Sequence, residues 1–182
     1  MNLSDDELED YYMMVNDILA NKHFQELKYC PHHGINRYDH LIHVSMLTYK
    51  KCMNDEDINL RDTVRASLLH DFFTDEDVNG VRGDKLYKVH PVVALENAEK
   101  YFTLTDIQKD IILNHMYPVT STMPKTKEGK IVSLCDKECS IKEFAYNRVI
   151  RKKDDAYHLD DLLEEYKGTD TKPKTRIKVA NI

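Results

Sequence analysis

Apolar residues recur at intervals of three and four along most of the chain, the spacing that places them on one face of a helix. Ser4 and Glu7 form a capping box, which predicts that a first helix begins there. Further helices are predicted at about 37–52, 59–72, 90–102, 105–115, from 129 onward, and 155–166. The fourth would start at His90, with Pro91 in its first turn. Loops are predicted at 74–89 and 118–127. The pattern therefore predicts an all-α bundle of about six to seven helices.

The composition is that of one globular domain. The chain has 182 residues, of which 41% are apolar and 32% are charged, and this length is enough to bury a core. We expect a single domain over residues 1–167 and a mobile tail over 168–182, where apolar residues are scarce. No apolar run approaches the roughly 20 residues that span a bilayer, and the acidic N-terminus lacks the pattern of a secretory signal. No membrane partner is expected.

Charge and cysteine content restrict the partners and the compartment. The net charge is −6, which argues against a nucleic acid as the principal partner. An acidic protein can still bind a phosphate ester if a metal ion supplies local positive charge. The four cysteines are too few and too scattered for a disulfide framework. We therefore expect free thiols and a cytoplasmic location.

A His–Asp pair, His70 and Asp71, directly follows the apolar run of the third predicted helix. Burying imidazole beside carboxylate costs free energy unless another group compensates, and a divalent metal ion is one such group. A structural His–Asp hydrogen bond inside a helical core is the other interpretation. Similar residues beside apolar positions on other predicted helices favour a metal site at which several helices project ligands inward. The candidate ligands are His40, His70, Asp71, His90, His115 and Asp136.

The order His, His–Asp, His, His, Asp resembles that of the HD superfamily of metal-dependent phosphohydrolases, over about residues 33–145. The matching segments are Arg37-Tyr38-Asp39-His40, Leu68-Leu69-His70-Asp71, Val89-His90-Pro91, Ile112-Leu113-Asn114-His115 and Val132-Ser133-Leu134-Cys135-Asp136-Lys137. Spacing alone leaves open whether His40 or His43 faces inward. The resemblance assigns His40, which lies four residues before Val44, and it implies the HD-domain helical bundle.

The resemblance is to members that bind two metal ions, such as bacterial HD-type dinucleoside-polyphosphate hydrolases. It implies that one ion is held by His40, His70, Asp71 and Asp136. It implies that the second is held by His90 and His115, with Asp71 bridging both. Iron or manganese is expected, with zinc, cobalt, nickel and magnesium as further candidates. A water bridging two such ions loses a proton near neutral pH and becomes the nucleophile.

Other residues are expected to contact the substrate, a phosphorylated small molecule or nucleotide. Lys137, which adjoins a proposed ligand, and His33, as donor to the leaving group, are the further catalytic candidates beside Asp71. The 74–89 loop holds a basic patch, either phosphate-binding or simply solvated. Its members are Arg82, Lys85 and Lys88. A di-iron oxygenase with the same six ligands and a non-catalytic nucleotide-binding module are the alternatives, and a homodimer is possible.

Overall fold

Seven α-helices and one short β-hairpin make up the part of the chain that the structure describes. The computed structural model describes residues 3–32 and 34–149, with side chains as far as residue 146. The helices are α1 (Asp5–Leu19), α2 (Lys22–Glu26), α3 (Arg37–Cys52), α4 (Leu60–Leu69), α5 (Leu86–Tyr101), α6 (Asp106–Asn114) and α7 (Lys127–Val149). Antiparallel strands β1 (Pro31–His32) and β2 (Ile35–Asn36) form the hairpin, with Pro31 opposite Asn36 and His32 opposite Ile35. The prediction of an all-α bundle is confirmed.

Three predicted features lie outside the described residues. They are the helix at 155–166, the domain boundary at 167 with the tail that follows, and the catalytic candidate His33. Within the described residues, no helix has both the length and the apolar character that crossing a lipid bilayer requires. The four cysteines are free and buried, as expected.

Side-chain caps determine where two of the helices begin. The predicted capping box of α1 is present, because the Glu7 amide donates to Ser4 Oγ at 3.3 Å and the Ser4 amide donates to Glu7 Oε2 at 2.6 Å. α3 begins at its predicted residue because Asn36 Oδ1 accepts from the Asp39 amide at 2.8 Å. Caps of this kind contribute about 1 kcal/mol each.

The core is built around α4, which packs against α1, α3 and α6. Leu68 and Leu69, at its C-terminal end, are fully buried, and burying each leucine contributes about 1.5–3 kcal/mol. Phe72 and Phe73 follow shortly after and are also buried. The His–Asp pair therefore lies between two apolar pairs, which hold it inside the protein. α4 ends at Leu69, three residues earlier than predicted.

The predicted start of the fourth long helix is wrong. α5 begins at Leu86 rather than at His90, and a 3-10 turn, Gly83–Lys85, leads into it. Pro91 is therefore the sixth residue of the helix, where its missing N–H leaves the Tyr87 carbonyl without the usual helical partner. Tyr87 is exposed and lies in the first turn, so that solvent can replace that bond. The position of the proline was therefore not enough to predict where the helix starts. The loop that was predicted at 74–89 ends earlier, where the 3-10 turn begins.

The N-terminal end of α7 is held against α6 by one carboxylate. Asp110 Oδ2 accepts hydrogen bonds from the amides of Lys125 and Thr126, at 2.9 and 3.1 Å. The approach is close, because a Cβ placed on Gly129 would lie 2.7 Å from Cβ of Pro124. Only glycine fits without a shift of the chain. This contact fixes where α7 passes the end of α6.

Candidate metal centre

The structure brings all six predicted metal ligands into one buried cluster. Each comes from a helix or from the residue or two after its last turn: His40 from α3, His70 and Asp71 after α4, His90 from α5, His115 after α6, and Asp136 from α7. None of the six is more than 8% exposed. Five helices therefore converge on one point, although the ligands are up to 96 residues apart in sequence, since they run from His40 to Asp136.

One half of the cluster surrounds Asp136. Its Oδ1 atom lies 3.3 Å from His40 Nε2 and 3.7 Å from His70 Nε2. We call these three residues the Asp136 half. One ligand atom from each lies within 4.8 Å of the others, a separation that a single ion can bridge.

The other half surrounds Asp71. Its Oδ1 atom lies 3.1 Å from His90 Nε2 and 3.4 Å from His115 Nε2, and we call these three residues the Asp71 half. The two Nε2 atoms are 3.0 Å apart. The His70 ring connects the halves, since its centroid is 4.8 Å from that of His115 and 5.5 Å from that of His40.

Hydrogen bonds to the main chain set the tautomers of three histidines. In each, Nδ1 faces a carbonyl oxygen that can only accept, so Nδ1 carries the proton. The pairs are His70 with Ser67 O at 2.7 Å, His90 with Leu86 O at 2.8 Å, and His115 with Ile112 O at 2.8 Å. When such a ring is neutral, its Nε2 atom presents a lone pair to the cluster. This is the form in which imidazole binds a metal.

The donor set fits a divalent cation. Within the described residues, His70 Nε2 and Asp71 Oδ1 are buried yet have no hydrogen-bond partner. A lone pair facing a carboxylate is repelled unless positive charge lies between them. Protons on His40 and His90 can supply that charge, and a divalent cation can supply it by using the same lone pairs as ligands. Nitrogen and carboxylate donors together suit iron, manganese, zinc, cobalt and nickel better than magnesium, which prefers oxygen.

The two carboxylates of the cluster are ionised when no cation is bound, and the pKa of His90 as well as that of His40 is raised: burial lowers the pKa of His90, but the Asp71 carboxylate outweighs it. Burial raises the pKa of Asp136, but hydrogen bonds and charge from His40 and His70 outweigh it and hold that pKa well below its usual value. Neighbouring imidazoles likewise outweigh burial and hold the pKa of Asp71 well below its usual value. Burial lowers the pKa of His40, yet Asp136 and Glu143 together raise it to about 10. A cation that binds here must therefore displace a proton from His40.

Glu143 belongs to this centre, and sequence reasoning missed it. Nδ1 of His40 donates to its Oε2 at 2.8 Å, and Nδ1 of His43 donates to its Oε1 at 2.9 Å. His40 thus faces Asp136, while His43 lies at the rim with its side chain 29% exposed. Glu143 follows Asp136 by seven residues, so both lie on one face of α7. That spacing was the available signal.

His32 of β1 is a second residue that the sequence did not single out. Its Nε2 atom lies 4.0 Å from Asp71 Oδ2, and its ring centroid lies 4.4 Å from that of His40. One ligand atom from each of the three residues lies within 4.8 Å of the others. The residues before α3 showed no periodic pattern from which the direction of a side chain could be predicted. The sequence did not show that His32 was the inward one.

The predicted substrate-binding cations lie outside the buried cluster, whereas the catalytic candidate Lys137 is at its edge, with Nζ 4.0 Å from Asp136 Oδ2. Lys137 Nζ donates to the His115 carbonyl at 2.9 Å and to the Ser133 carbonyl and hydroxyl at 3.0 and 2.9 Å. Its amine therefore ties α7 to the end of α6, and burial lowers its pKa. Arg82 is exposed and pairs with Asp75, with Nη2 3.6 Å from Oδ2. The other two basic-patch residues, Lys85 and Lys88, are also on the surface and not in the buried cluster.

Residues 37–140, more than half of the chain, match the family model described as HD domain. The matched segment contains all six clustered ligands, whereas His32 and Glu143 lie outside it. No curated protein and no solved structure matches the chain.

Proposed function

The chain belongs to the HD domain family, and on this premise we propose that it is a metal-dependent phosphohydrolase acting on a phosphate ester or phosphoanhydride of a nucleotide. One observation carries the proposal: four imidazole Nε2 atoms converge on two buried carboxylates, within 3.1–3.7 Å of a carboxylate oxygen. Such a centre holds strong positive charge once cations bind. That local positive charge would attract an anionic substrate even though the protein as a whole carries a net charge of −6.

We assign two ions to the cluster. The first would be held by the Asp136 half and the second by the Asp71 half, with Asp71 available to both. Bound divalent ions supply a water of lowered pKa and neutralise charge on phosphoryl oxygens. The metals that the donor set favours are iron and manganese, with cobalt, nickel and zinc as substitutes.

The protein's own residues orient the ligands and exclude bulk water. The Nδ1 hydrogen bonds fix each ring so that its Nε2 atom points into the cluster. The Phe73 ring stacks on His90 at a centroid distance of 5.3 Å, which closes one side of the Asp71 half. Lys137 Nζ donates to the main-chain carbonyl of His115 and so holds the main chain of that ligand in place. These contacts let the site bind cations without reorganising.

Two groups remain for the substrate. His32 is less buried than the six ligands, with its side chain 16% exposed, and it lies beside Asp71. We assign it to the phosphoryl or leaving group at the open edge of the centre, a role for which His33 is the alternative. The basic patch of Arg82, Lys85 and Lys88 would attract a polyanionic substrate from solution. Nucleotides and dinucleoside polyphosphates are therefore the first substrates to test.

The proposal is tested by metal reconstitution. The purified protein is stripped with a chelator and reloaded separately with manganese, iron, cobalt or zinc. Release of phosphate or nucleotide is then measured on phosphomonoesters, nucleoside phosphates and dinucleoside polyphosphates. We expect turnover of at least one compound that is lost on stripping and restored by reloading. Full activity after stripping, or no turnover of any phosphorylated compound, contradicts the proposal.

The same samples distinguish the two alternative functions. Oxygen consumption by the iron-loaded protein with an organic substrate would indicate an oxygenase. Saturable nucleotide binding without turnover, in the presence of every metal, would indicate a binding module. We expect neither result.

A further inference from the structure

The four ligand histidines do not have equivalent partners at Nδ1. Three donate to neutral main-chain carbonyls, as described above. His40 instead donates to the carboxylate of Glu143 at 2.8 Å. Glu143 is buried, with its side chain 2% exposed, so the negative charge is not screened by solvent. In the Asp136 half, therefore, one ligand histidine has an anionic partner at Nδ1. In the Asp71 half, the Nδ1 atoms of His90 and His115 both have neutral partners.

This difference has a direct effect on metal binding. A hydrogen bond from Nδ1–H to a carboxylate is stronger than one to a carbonyl and makes the opposite nitrogen a better electron donor. The added negative charge also favours a nearby cation in a poorly screened interior. Both effects act through His40, and hence on the ion that His40 binds.

His43 holds the Glu143 carboxylate in position. Its Nδ1 atom donates to Oε1 at 2.9 Å, so each oxygen of Glu143 faces one imidazole. His40 and His43 lie three residues apart on α3, and Glu143 is on α7. The carboxylate thus bridges two helices at a fixed orientation. Rotation of Glu143 away from His40 would break one or both bonds.

We propose that Glu143 is a positioning residue that makes the two metal sites unequal, so that the Asp136 half binds its ion more tightly and fills first. The inference rests on the proposed metal centre and adds an order of occupation to it. The ion in the Asp71 half is then the exchangeable one. At limiting metal the protein holds a single ion, bound with His40.

A purely structural role makes a different prediction. If Glu143 only links α3 to α7, its replacement lowers the melting temperature but leaves the relative affinities of the two sites unchanged. If it acts through His40, its replacement weakens the first binding step specifically. Separate affinities for the two ions therefore decide between the roles.

The experiment is a cobalt(II) titration of the metal-free protein, followed by visible absorption and by competition with a chelating dye. Wild type is compared with Glu143→Gln, which keeps the shape and one acceptor oxygen but removes the charge. Glu138→Gln is the matched control, because it removes one charge from the same helix at a residue bonded to Lys51 and Lys142 instead of a ligand. We expect Glu143→Gln to weaken the first ion about 10- to 100-fold. The second ion, and both ions in Glu138→Gln, should bind as in wild type.

The double variant His90→Ala, His115→Ala isolates the Asp136 half. Adding Glu143→Gln to it should reduce the affinity of the remaining ion by the same factor. Equal weakening of both ions, or equal behaviour of Glu143→Gln and Glu138→Gln, overturns the inference. Absence of cobalt binding by wild type instead overturns the proposed function itself, so the two failures are distinguishable.

Circular dichroism of each metal-free variant reports whether it folds. If Glu143→Gln does not fold, His43→Ala takes its place, since it retains the bond between Glu143 and His40 but removes the second anchor. We expect it to weaken the first ion by a smaller factor, about 3- to 10-fold, with the second ion unaffected. If His43→Ala then binds both ions with the same affinities as wild type, the inference is overturned.

Discussion

The Nε2 atoms of His90 and His115 lie 3.0 Å apart, with Asp71 Oδ1 within 3.4 Å of both. Two imidazole nitrogens that both carried lone pairs would repel at this distance unless a positive charge lay between them and the carboxylate. Neither histidine is needed by an ion in the Asp136 half. A second cation would supply that charge, and a proton on His90, whose pKa the Asp71 carboxylate raises against the effect of burial, would also supply it. The number of bound ions distinguishes the two.

The first prediction is metal stoichiometry. Wild type should bind close to two divalent ions and the double variant His90→Ala, His115→Ala close to one. The measurement is equilibrium dialysis followed by elemental analysis, with circular dichroism to show that the variant folds. If both proteins bind the same number of ions, the Asp71 half is not a metal site and a single-ion mechanism replaces the proposal.

The second prediction ranks two substitutions on the substrate that proves active. Asp71→Ala should reduce kcat/KM by about 10³-fold or more, because it removes the carboxylate available to both ions. His43→Ala should reduce it by about 10-fold or less, since His43 acts only through Glu143. Steady-state kinetics at saturating metal provide the comparison. A larger loss in His43→Ala would show that the wrong histidine of α3 has been assigned to the centre.

The third prediction compares two histidines that are adjacent in sequence, His32 and His33. His32→Ala should lower kcat by about 10²-fold, the typical contribution of a positioned polar group at the reacting atoms, because its Nε2 atom lies 4.0 Å from Asp71 Oδ2. His33→Ala should have a smaller effect. Kinetics are measured with the metal content of each variant determined in parallel. The reverse order would support His33 as the leaving-group donor.

The fourth prediction concerns protons. The neighbouring carboxylates raise the pKa of His40 to about 10, so the ring is protonated in the metal-free protein at pH 7. Metal binding must remove that proton, and roughly one proton should be released with the first ion. The apparent affinity should accordingly rise about tenfold per pH unit between pH 7 and 9. Calorimetry in buffers of different ionisation enthalpy measures the release, and a pH-independent affinity would show that His40 is not a ligand.

The fifth prediction separates two roles of Lys137. Its amine donates to the His115 carbonyl and to Ser133, so Lys137→Met should destabilise the fold by about 1–3 kcal/mol. KM should stay near the wild-type value because the amine is engaged within the protein. Denaturant unfolding and steady-state kinetics test the two statements. A large rise in KM with unchanged stability would instead indicate direct contact with phosphate.

Local sequence patterns predicted the features that depend on local structure. The Ser4 capping box and the bounds of α3 follow from residues within a few positions of each other. The start of α5 could not be predicted in this way, because Pro91 is compatible with a first turn and the structure places it one turn further in.

The residues of the candidate site could be predicted where they lie on or next to a predicted helix. The six proposed ligands lie beside apolar residues or near the ends of predicted helices, and the structure brings them together. Glu143 was missed because its partner is distant in sequence: it bonds His40 across 103 positions, and its spacing from Asp136 shows only that the two share a helix face. His32 was missed because its contact with Asp71 joins residues 39 positions apart. Such pairs depend on how helices pack, and periodicity along one segment contains no information about that packing.

Two helices end at the metal centre in the same way. His70 follows the last residue of α4 and His115 follows the last residue of α6, and each imidazole donates to the carbonyl three residues earlier. Helix C-termini carry the negative end of the helix dipole, which favours a nearby cation by about 0.3–1 kcal/mol and disfavours an anion similarly. The main chain therefore repels free phosphate from the metal-free centre. If the proposed function holds, a phosphorylated substrate should accordingly bind a few-fold more weakly to the metal-free centre than it would to a neutral site without these helix ends.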